Sequence, residues 1–269
     1  MNWPVFFKRL GSAVVFSAIM MAGLLVADPY AIITLSLLIQ FLCLREYLNI
    51  LEKIFPDIHF TSLFRSCLQV LALVVVLGLI FFRSAFVLIL LPVPLLILLP
   101  AVLAPKTGLK EALVALAGLL YISLPMAALI TLRTIHIALP LVLVLMIWMN
   151  DTMAYITGSF FGKTPFSEIS PKKTWEGTVG GGLLTFIGAG IWAWCSPLHA
   201  VSPWLWLSFA LITVVVGTAG DLLESKLKRL AGVKDSGNIM PGHGGALDRF
   251  DSLLACLPFA LLIAVCLWG

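Results

Sequence analysis

Residues 136–160 read HIALPLVLVLMIWMNDTMAYITGSF, an apolar stretch that contains a single carboxylate, Asp151. An α-helix of about 20 apolar residues crosses the hydrocarbon core of a bilayer, so this stretch predicts a membrane-spanning helix. A charged side chain at the centre of such a helix costs at least about 2.5 kcal/mol. Asp151 is therefore a candidate functional residue, with Asn150 beside it and Tyr155 one helical turn later.

The composition of the whole chain agrees with that stretch. Of the 269 residues, 61% are hydrophobic and only 11% are charged, whereas about 25% of residues are charged in a soluble protein. So few charges cannot cover a surface that faces water. The composition excludes a soluble enzyme, a disordered chain and a nucleic-acid-binding domain, and it favours a polytopic membrane protein.

Nine apolar runs are candidates for membrane spans. They lie at about 10–27, 30–44, 66–82, 85–104, 111–132, 136–160, 177–195, 203–223 and 252–268. The second run is short for a span. None of the runs shows the alternating pattern of a membrane β-barrel, so the predicted fold class is an all-α polytopic membrane protein with about nine transmembrane helices.

The basic residues predict the orientation of these helices. With the N-terminus inside, 15 of the 17 Lys and Arg residues fall in inner segments, and only Arg83 and Arg133 fall outside. Cytoplasmic loops of membrane proteins carry such an excess of Lys and Arg. We therefore expect the N-terminus inside and the C-terminus outside.

Polar chemistry is concentrated in the second half of the chain. Eight of the 13 carboxylates lie between residues 150 and 251. We expect two parts: residues 1–135 with transmembrane helices 1–5, and residues 136–269 with helices 6–9 and the catalytic site. The sequence contains no internal repeat that would indicate two equivalent halves.

The segment between the eighth and ninth predicted spans gathers carboxylates near two helix ends. Asp221, Ser225 and Lys228 share one face of a helix, and Asp248 and Asp251 share a face at the start of the next. Carboxylate oxygens brought together in this way suit a hard cation such as Mg²⁺. We predict that Asp221 and Asp248 hold Mg²⁺.

The glycine-rich turn in the same segment, residues 241–245, offers backbone N–H groups that suit phosphate, together with lysines such as Lys234. An ordinary cytoplasmic loop rich in Lys and Arg is the alternative, and it stays open for Lys226 and Arg229. His243 lies inside the turn, where a hydrogen-bonding role and a catalytic role remain equally open.

A second polar segment precedes the seventh predicted span. Ser170 and Pro171 have the pattern of an N-cap and first residue of that helix. Lys172 and Lys173 would then lie near a helix N-terminus, which favours phosphate binding. Their alternative role is to set membrane topology only. Residues 180–182 are three glycines, which predict close helix packing.

Two sets of motifs with fixed gaps point to one family. The first set is Ser225-x-x-Lys228-Arg229, Lys234-Asp235-x-Gly237, Pro241-Gly242-His243-Gly244-Gly245 and Asp248-Arg249-x-Asp251. The second is Asp151-Thr-x-Ala-Tyr155-x-x-Gly158, Phe161-Gly162-Lys163 and Ser170-Pro171-Lys172-Lys173-Thr174-x-Glu176-Gly177. Together they resemble the signature of the phosphatidate cytidylyltransferases, also called CDP-diacylglycerol synthases.

The resemblance implies an integral-membrane transferase of phospholipid biosynthesis that converts CTP and phosphatidate to CDP-diacylglycerol and pyrophosphate, with Mg²⁺. It implies a multi-pass protein of the bacterial cytoplasmic (inner) membrane whose active site faces the cytoplasm. The expected catalytic residues are Asp221, Asp248, Lys228 and Asp151. The expected substrate-binding residues are Lys172, Lys173, Ser170, Ser225, Arg229, Lys234, Asp235, His243, Gly244, Gly245, Arg249 and Asp251.

Two other readings stay open at this stage. A carboxylate inside an apolar helix, like Asp151, also occurs in ion-coupled transporters. Such transporters often have repeated halves, which this sequence lacks. A related enzyme acting on a different lipid phosphate, such as an archaeal-type ether lipid, would show the same motifs. The sequence leaves the oligomeric state open, with a homodimer among the states it allows.

Overall fold

A computed structural model describes residues 3–81, 108–196, 198, 201–240, 242 and 244–268, with side chains from residue 10 onward. This described part contains eight α-helices and no β-strand. The helices are α1 Trp3–Leu25, α2 Pro29–Ile54, α3 Ser62–Phe81, α4 Leu109–Ile135, α5 Ala138–Phe161, α6 Trp175–Cys195, α7 Pro203–Leu230 and α8 Leu247–Leu267.

Seven of these helices, α2 to α8, are long and apolar enough to cross a membrane. The predicted all-helical, multi-pass membrane fold is therefore confirmed. Every predicted span that falls on described residues coincides with a helix. In α1 the apolar part whose side chains are described covers only Leu10–Leu25, and α1 is therefore not among the seven. The fourth predicted span, 85–104, lies outside the described residues, so the count of nine and the orientation of the termini stay predictions.

The second span is longer than predicted. Helix α2 begins after Asp28, whose side chain accepts a hydrogen bond from the N–H of Tyr30 at 2.8 Å, and Pro29 occupies the first turn. This is a favourable N-terminus because the cap satisfies a donor that the helix cannot. The helix ends at Ile54 rather than at residue 44, so the expectation of a short span was wrong. The charged side chains that interrupt the apolar run are part of the helix.

Two helices contain a π-helical turn. In α4 the turn covers Leu119–Ser123, and in α7 it covers Thr213–Gly217. The carbonyl of Gly217 accepts a hydrogen bond from Ser252 Oγ at 3.1 Å. Such single turns occur frequently near functional sites, and the turn in α7 ends four residues before Asp221.

The chain forms two compact units. The first comprises residues 1–131 and 227–250. The described residues of the glycine-rich segment between α7 and α8, which are 236–240, 242 and 244–246, therefore pack with the N-terminal helices. The second comprises residues 132–226 and 251–269. The predicted division into residues 1–135 and 136–269 as separate parts stays a prediction.

Within the second unit, α5 and α6 pack backbone against backbone. A Cβ added to Gly181 would lie 2.7 Å from the backbone nitrogen of Ala154, and one added to Gly177 would lie 2.9 Å from the Cα of Gly158. Only glycine permits this approach, as small residues do in membrane helix pairs generally. The packing predicted for the three glycines is confirmed, since Gly180 and Gly182 also lie against side chains.

Candidate active site

A cavity of about 360 Å³ lies in the second unit and combines polar and apolar walls. Its walls are built from α5, α6, α7 and the loop between α5 and α6. It is lined by Asn150, Asp151, Ala154, Tyr155, Gly158, Ser159, Lys172, Lys173, Thr174, Gly177, Thr178, Thr218 and Asp221. Four of the residues predicted for the site, Asp151, Lys172, Lys173 and Asp221, are thus brought to one place.

The cavity's lysines lie on a loop whose end differs from the prediction. Helix α6 begins at Trp175 with Thr174 as its N-cap, and Thr174 Oγ1 accepts a hydrogen bond from the N–H of Gly177 at 3.1 Å. The assignment of Ser170 and Pro171 as N-cap and first residue was wrong. Ser170 instead closes a turn, in which its carbonyl accepts from the N–H of Lys173 at 3.0 Å.

Backbone pairing explains this difference. The N–H of Phe166 donates to the carbonyl of Lys173 at 2.8 Å, and the N–H of Trp175 donates to the carbonyl of Thr164 at 3.0 Å. These bonds keep the residues before Trp175 extended, so the helix cannot begin earlier. They also fasten the segment that carries the two lysines.

Glu176 supports the same loop from the first turn of α6. Its carboxylate accepts hydrogen bonds from the N–H groups of Lys163 and Thr164, both at 3.1 Å, and from Thr164 Oγ1 at 2.8 Å. A carboxylate in the first turn of a helix also interacts favourably with the helix dipole. Glu176 therefore fixes the start of the loop, a role that its position in the sequence motif did not reveal.

Opposite charges meet inside the cavity. Lys173 Nζ forms an ion pair with Asp221 Oδ2, and Ser225 Oγ donates to Asp221 Oδ1 at 3.2 Å. Asp251, in the same unit, interacts electrostatically with Asp221, Asp151 and Lys173. Asp151 and Asp221 thus line the cavity together with Lys172 and the ion-paired Lys173.

Carboxylates are the donors in this cavity that could bind Mg²⁺. Among the described residues, no group of three or more His, Cys, Asp or Glu side chains is arranged to hold a metal ion by itself. Magnesium in phosphate-handling sites is usually held by one or two carboxylates together with substrate phosphates. Asp151 and Asp221, the two carboxylates that line the cavity, are donors of the type that this mode requires.

A second cluster surrounds Asp248 in the first unit. Asp248 Oδ1 pairs with Lys228 Nζ at 2.5 Å, and the two side chains are only 5% and 11% exposed. Oδ2 accepts from the N–H groups of Ser236 and Gly245, both at 2.8 Å, and lies 2.9 Å from Ser236 Oγ. The structure therefore brings Lys228 and Asp248 into contact, and backbone N–H groups fix the Asp248 carboxylate. Their catalytic role stays a prediction.

A sequence profile of the cytidylyltransferase family matches residues 7–267. The chain belongs to the cytidylyltransferase family. The family resemblance predicted from the motifs is confirmed.

Curated relatives carry a more specific name. Proteins named phosphatidate cytidylyltransferase are 49% identical over 117 residues in Bacillus subtilis, 43% over 122 residues in Staphylococcus epidermidis and 45% over 124 residues in Synechocystis. These matches cover 42%, 45% and 45% of this chain, and 42%, 46% and 41% of the relatives. The chain thus matches less than half the length of each relative.

The other site residues predicted for this cytidylyltransferase-family chain lie around the same segments. Arg229, Lys234, Asp235 and Arg249 are exposed in the first unit. Gly244 has φ of +83°, a backbone conformation that favours glycine. Gly245 is buried, Ser170 is half-buried, and His243 lies outside the described residues. Their substrate contacts stay predictions, as does a metal ion shared by Asp221 and Asp248, which belong to different units.

Sequence reasoning missed Glu46. This carboxylate lies in α2 with 3% of its surface exposed, and it accepts hydrogen bonds from Ser236 Oγ, Ala246 N–H and Leu247 N–H. The signal was a carboxylate beside an apolar run, which is costly without a partner. The predicted span ends at residue 44, two residues before Glu46.

Proposed function

We propose that this chain is an integral-membrane transferase that converts CTP and phosphatidate to CDP-diacylglycerol and pyrophosphate. The observation that carries the proposal is the cavity between membrane-spanning helices that Lys172, Lys173, Asp151 and Asp221 line. Two lysines suit phosphate groups, and carboxylates suit the cation that accompanies a nucleotide. Membership of the cytidylyltransferase family and the names of the relatives support the same reaction.

In the proposed reaction, a phosphate oxygen of phosphatidate attacks the α-phosphorus of CTP. The bond from that phosphorus to the oxygen bridging to the β-phosphate breaks, and pyrophosphate leaves with the electron pair. The nucleophile is already ionised, so no general base is needed. Both substrates are anions, and catalysis therefore consists of positioning and charge neutralisation.

The chain's own residues divide this work. Lys172 and Lys173 line the cavity on a loop that backbone bonds hold in place, and they would bind phosphate oxygens. Lys173 would exchange part of its ion pair with Asp221 for a substrate phosphate. Charge-assisted bonds of this kind are worth about 1.5–3 kcal/mol each. In the first unit, Lys228 remains a predicted catalytic residue and Lys234 a predicted phosphate ligand.

Magnesium remains a proposal as the cofactor. Asp221 would be a ligand, with Asp151 and Asp251 as the neighbouring carboxylates. Asp248 was also predicted as a ligand, and to bind the ion it would have to release one of its present partners, such as Lys228. When bound, Mg²⁺ would neutralise phosphate charge as a Lewis acid. The ion pair of Asp221 with Lys173 keeps that carboxylate in the cavity meanwhile.

We further propose nine spans in the bacterial cytoplasmic (inner) membrane, with the N-terminus and the active site on the cytoplasmic side and the C-terminus outside. The placement of 15 of the 17 Lys and Arg residues supports this. A reporter enzyme that is active only outside the cytoplasm should be active when it is fused after Gly269. A reporter that is active only inside the cytoplasm should be inactive at the same position. The opposite pair of results would overturn the nine-span topology. A homodimer is compatible with the proposed reaction.

The reaction is tested with purified protein in detergent micelles that contain phosphatidate, radiolabelled CTP and Mg²⁺. We expect the label to enter a lipid-soluble product that has the mass of CDP-diacylglycerol. The amount of this product should equal the amount of pyrophosphate released. The Lys172→Gln, Lys173→Gln double variant is the matched control and should form far less. Substrate uptake by proteoliposomes without lipid labelling would instead support a transporter.

A further inference from the structure

The first unit contains a buried charge that the proposed reaction does not use. Glu46 lies in α2, a membrane-spanning helix, and only 3% of its surface is exposed. Removing a carboxylate from water costs several kcal/mol unless it finds well-placed partners. The Glu46 carboxylate therefore needs hydrogen-bond donors that offset the cost of its burial.

The partners of Glu46 come from the opposite end of the sequence. Oε1 accepts from the N–H of Ala246 at 3.0 Å, and Oε2 accepts from the N–H of Leu247 at 2.9 Å. These N–H groups stand at the start of α8, where a helix lacks internal acceptors and its dipole favours negative charge. Glu46 thus caps α8 from a different helix.

The glycines of the segment are shaped around the same carboxylate. A Cβ added to Gly237 would collide with Glu46 Oε1, and one added to Gly245 would collide with Glu46 Oε2 and with Ser236 Oγ. A larger residue at either place would displace the Glu46 carboxylate from its hydrogen bonds or separate the segment from α2. These two glycines allow the backbone to close on Glu46.

Glu46 is connected to Asp248 through Ser236. Ser236 Oγ lies 2.7 Å from Glu46 Oε2 and 2.9 Å from Asp248 Oδ2. A hydroxyl has one hydrogen to donate, so it serves one carboxylate at a time. The backbone N–H groups of Ser236 and Gly245 serve Asp248 in either case.

Hydrogen bonds therefore connect Glu46 to Lys228 in three steps. Glu46 binds Ser236, Ser236 binds Asp248, and Asp248 binds Lys228. The backbone donors that hold Asp248 belong to residues that Glu46 binds or that pack on it. The three hydrogen bonds of Glu46 join Ser236 and the start of α8 to α2.

We propose that Glu46 is a positioning residue for cytidylyl transfer: it docks the glycine-rich segment on α2 and so orients the Lys228–Asp248 pair. The proposal rests on the proposed function for its catalytic half. It assigns Glu46 no contact with substrate.

The docking is tested by hydrogen–deuterium exchange of the full-length protein in micelles, with no substrate. In Glu46→Gln, one acceptor oxygen becomes an amide donor that faces Leu247 N–H or Ala246 N–H. We expect peptides that cover 236–247 to exchange at least about tenfold faster, while α6 peptides are unchanged. Glu52→Gln is the control, because Glu52 lies in the same helix and pairs with Arg65 rather than with the segment.

The catalytic half is tested by steady-state kinetics on the same variants. We expect Glu46→Gln to lower kcat about tenfold, equivalent to about 1.4 kcal/mol, with KM for CTP changed less than twofold. Glu52→Gln should retain wild-type values. Ser236→Ala, a milder change, should lower kcat in the same direction and add little in combination with Glu46→Gln.

Several results would overturn the proposal. Unchanged exchange over 236–247 would refute the docking, and a wild-type kcat in Glu46→Gln would refute the positioning role. Equal losses in Glu46→Gln and Glu52→Gln would indicate general destabilisation of α2. If Glu46→Gln does not fold, Ser236→Ala decides both readouts. Absence of transferase activity in the wild type would refute the proposed function, while the exchange data would still decide the docking.

Discussion

Removal of the charge on Asp248 should destabilise the first unit through Lys228. In Asp248→Asn the amide can keep its oxygen toward the N–H groups of Ser236 and Gly245, and its NH₂ group then faces Lys228 Nζ. Two donors meet where an ion pair of 2.5 Å stood. Turning the amide over restores Lys228 but opposes the two backbone donors.

The magnitude follows from burial. The two side chains are 5% and 11% exposed, so water cannot replace the lost partner. Breaking one side of a buried ion pair costs about 3–5 kcal/mol. We therefore expect Asp248→Asn to lower the free energy of unfolding by about 3 kcal/mol. Lys228→Met in the Asp248→Asn background removes the stranded charge, and it should recover at least about 1.5 kcal/mol of that loss.

The assay is unfolding in mixed micelles with a rising fraction of denaturing detergent, followed by hydrogen–deuterium exchange to locate the opening. The double variant should regain stability but not transferase activity, which separates the two properties. If the single changes add without coupling, the ion pair does not hold this part of the fold, and the reasoning from burial fails.

Further predictions concern the second unit. Lys173→Gln should raise KM for CTP or phosphatidate about tenfold or more because it also frees Asp221, whereas Lys172→Gln should raise it less; equal kinetics in both variants and the wild type would leave the lysines as topology determinants. Thr174→Val should lower stability by about 1 kcal/mol through loss of the α6 cap, and an unchanged melting temperature would contradict this. Activity should vanish with a chelator and return with Mg²⁺, and full activity in chelator would refute the metal proposal.

The sequence was sufficient to predict what depends on local pattern. Apolar runs located the described membrane helices, and motif spacing selected Asp151, Lys172, Lys173 and Asp221, which line one cavity. Helical periodicity placed Asp221 beside Ser225, and their side chains are hydrogen-bonded.

What the sequence could not predict depends on distant partners. Glu46 is bonded to residues some 190 to 201 positions away, so no window of sequence shows that its charge is compensated. A hydropathy criterion therefore ended α2 at the first charges. The start of α6 was missed for a related reason: Ser170 and Thr174 are both good caps, and backbone bonds to Thr164 and Phe166 select between them.

The direct backbone contact of α5 and α6 makes the width of the cavity adjustable in single-methyl steps. Gly177 lines the cavity, and Gly181 lies one turn further along the same contact. Because a methyl group on Gly181 would meet main-chain atoms of Ala154, the helices themselves would have to separate. A wedge there would widen the space beside Asp151 while the charged side chains of the cavity, Lys172, Lys173 and Asp221, stay unchanged. Under the proposed reaction, the spacing of α5 and α6 would then set which lipid headgroups the cavity admits.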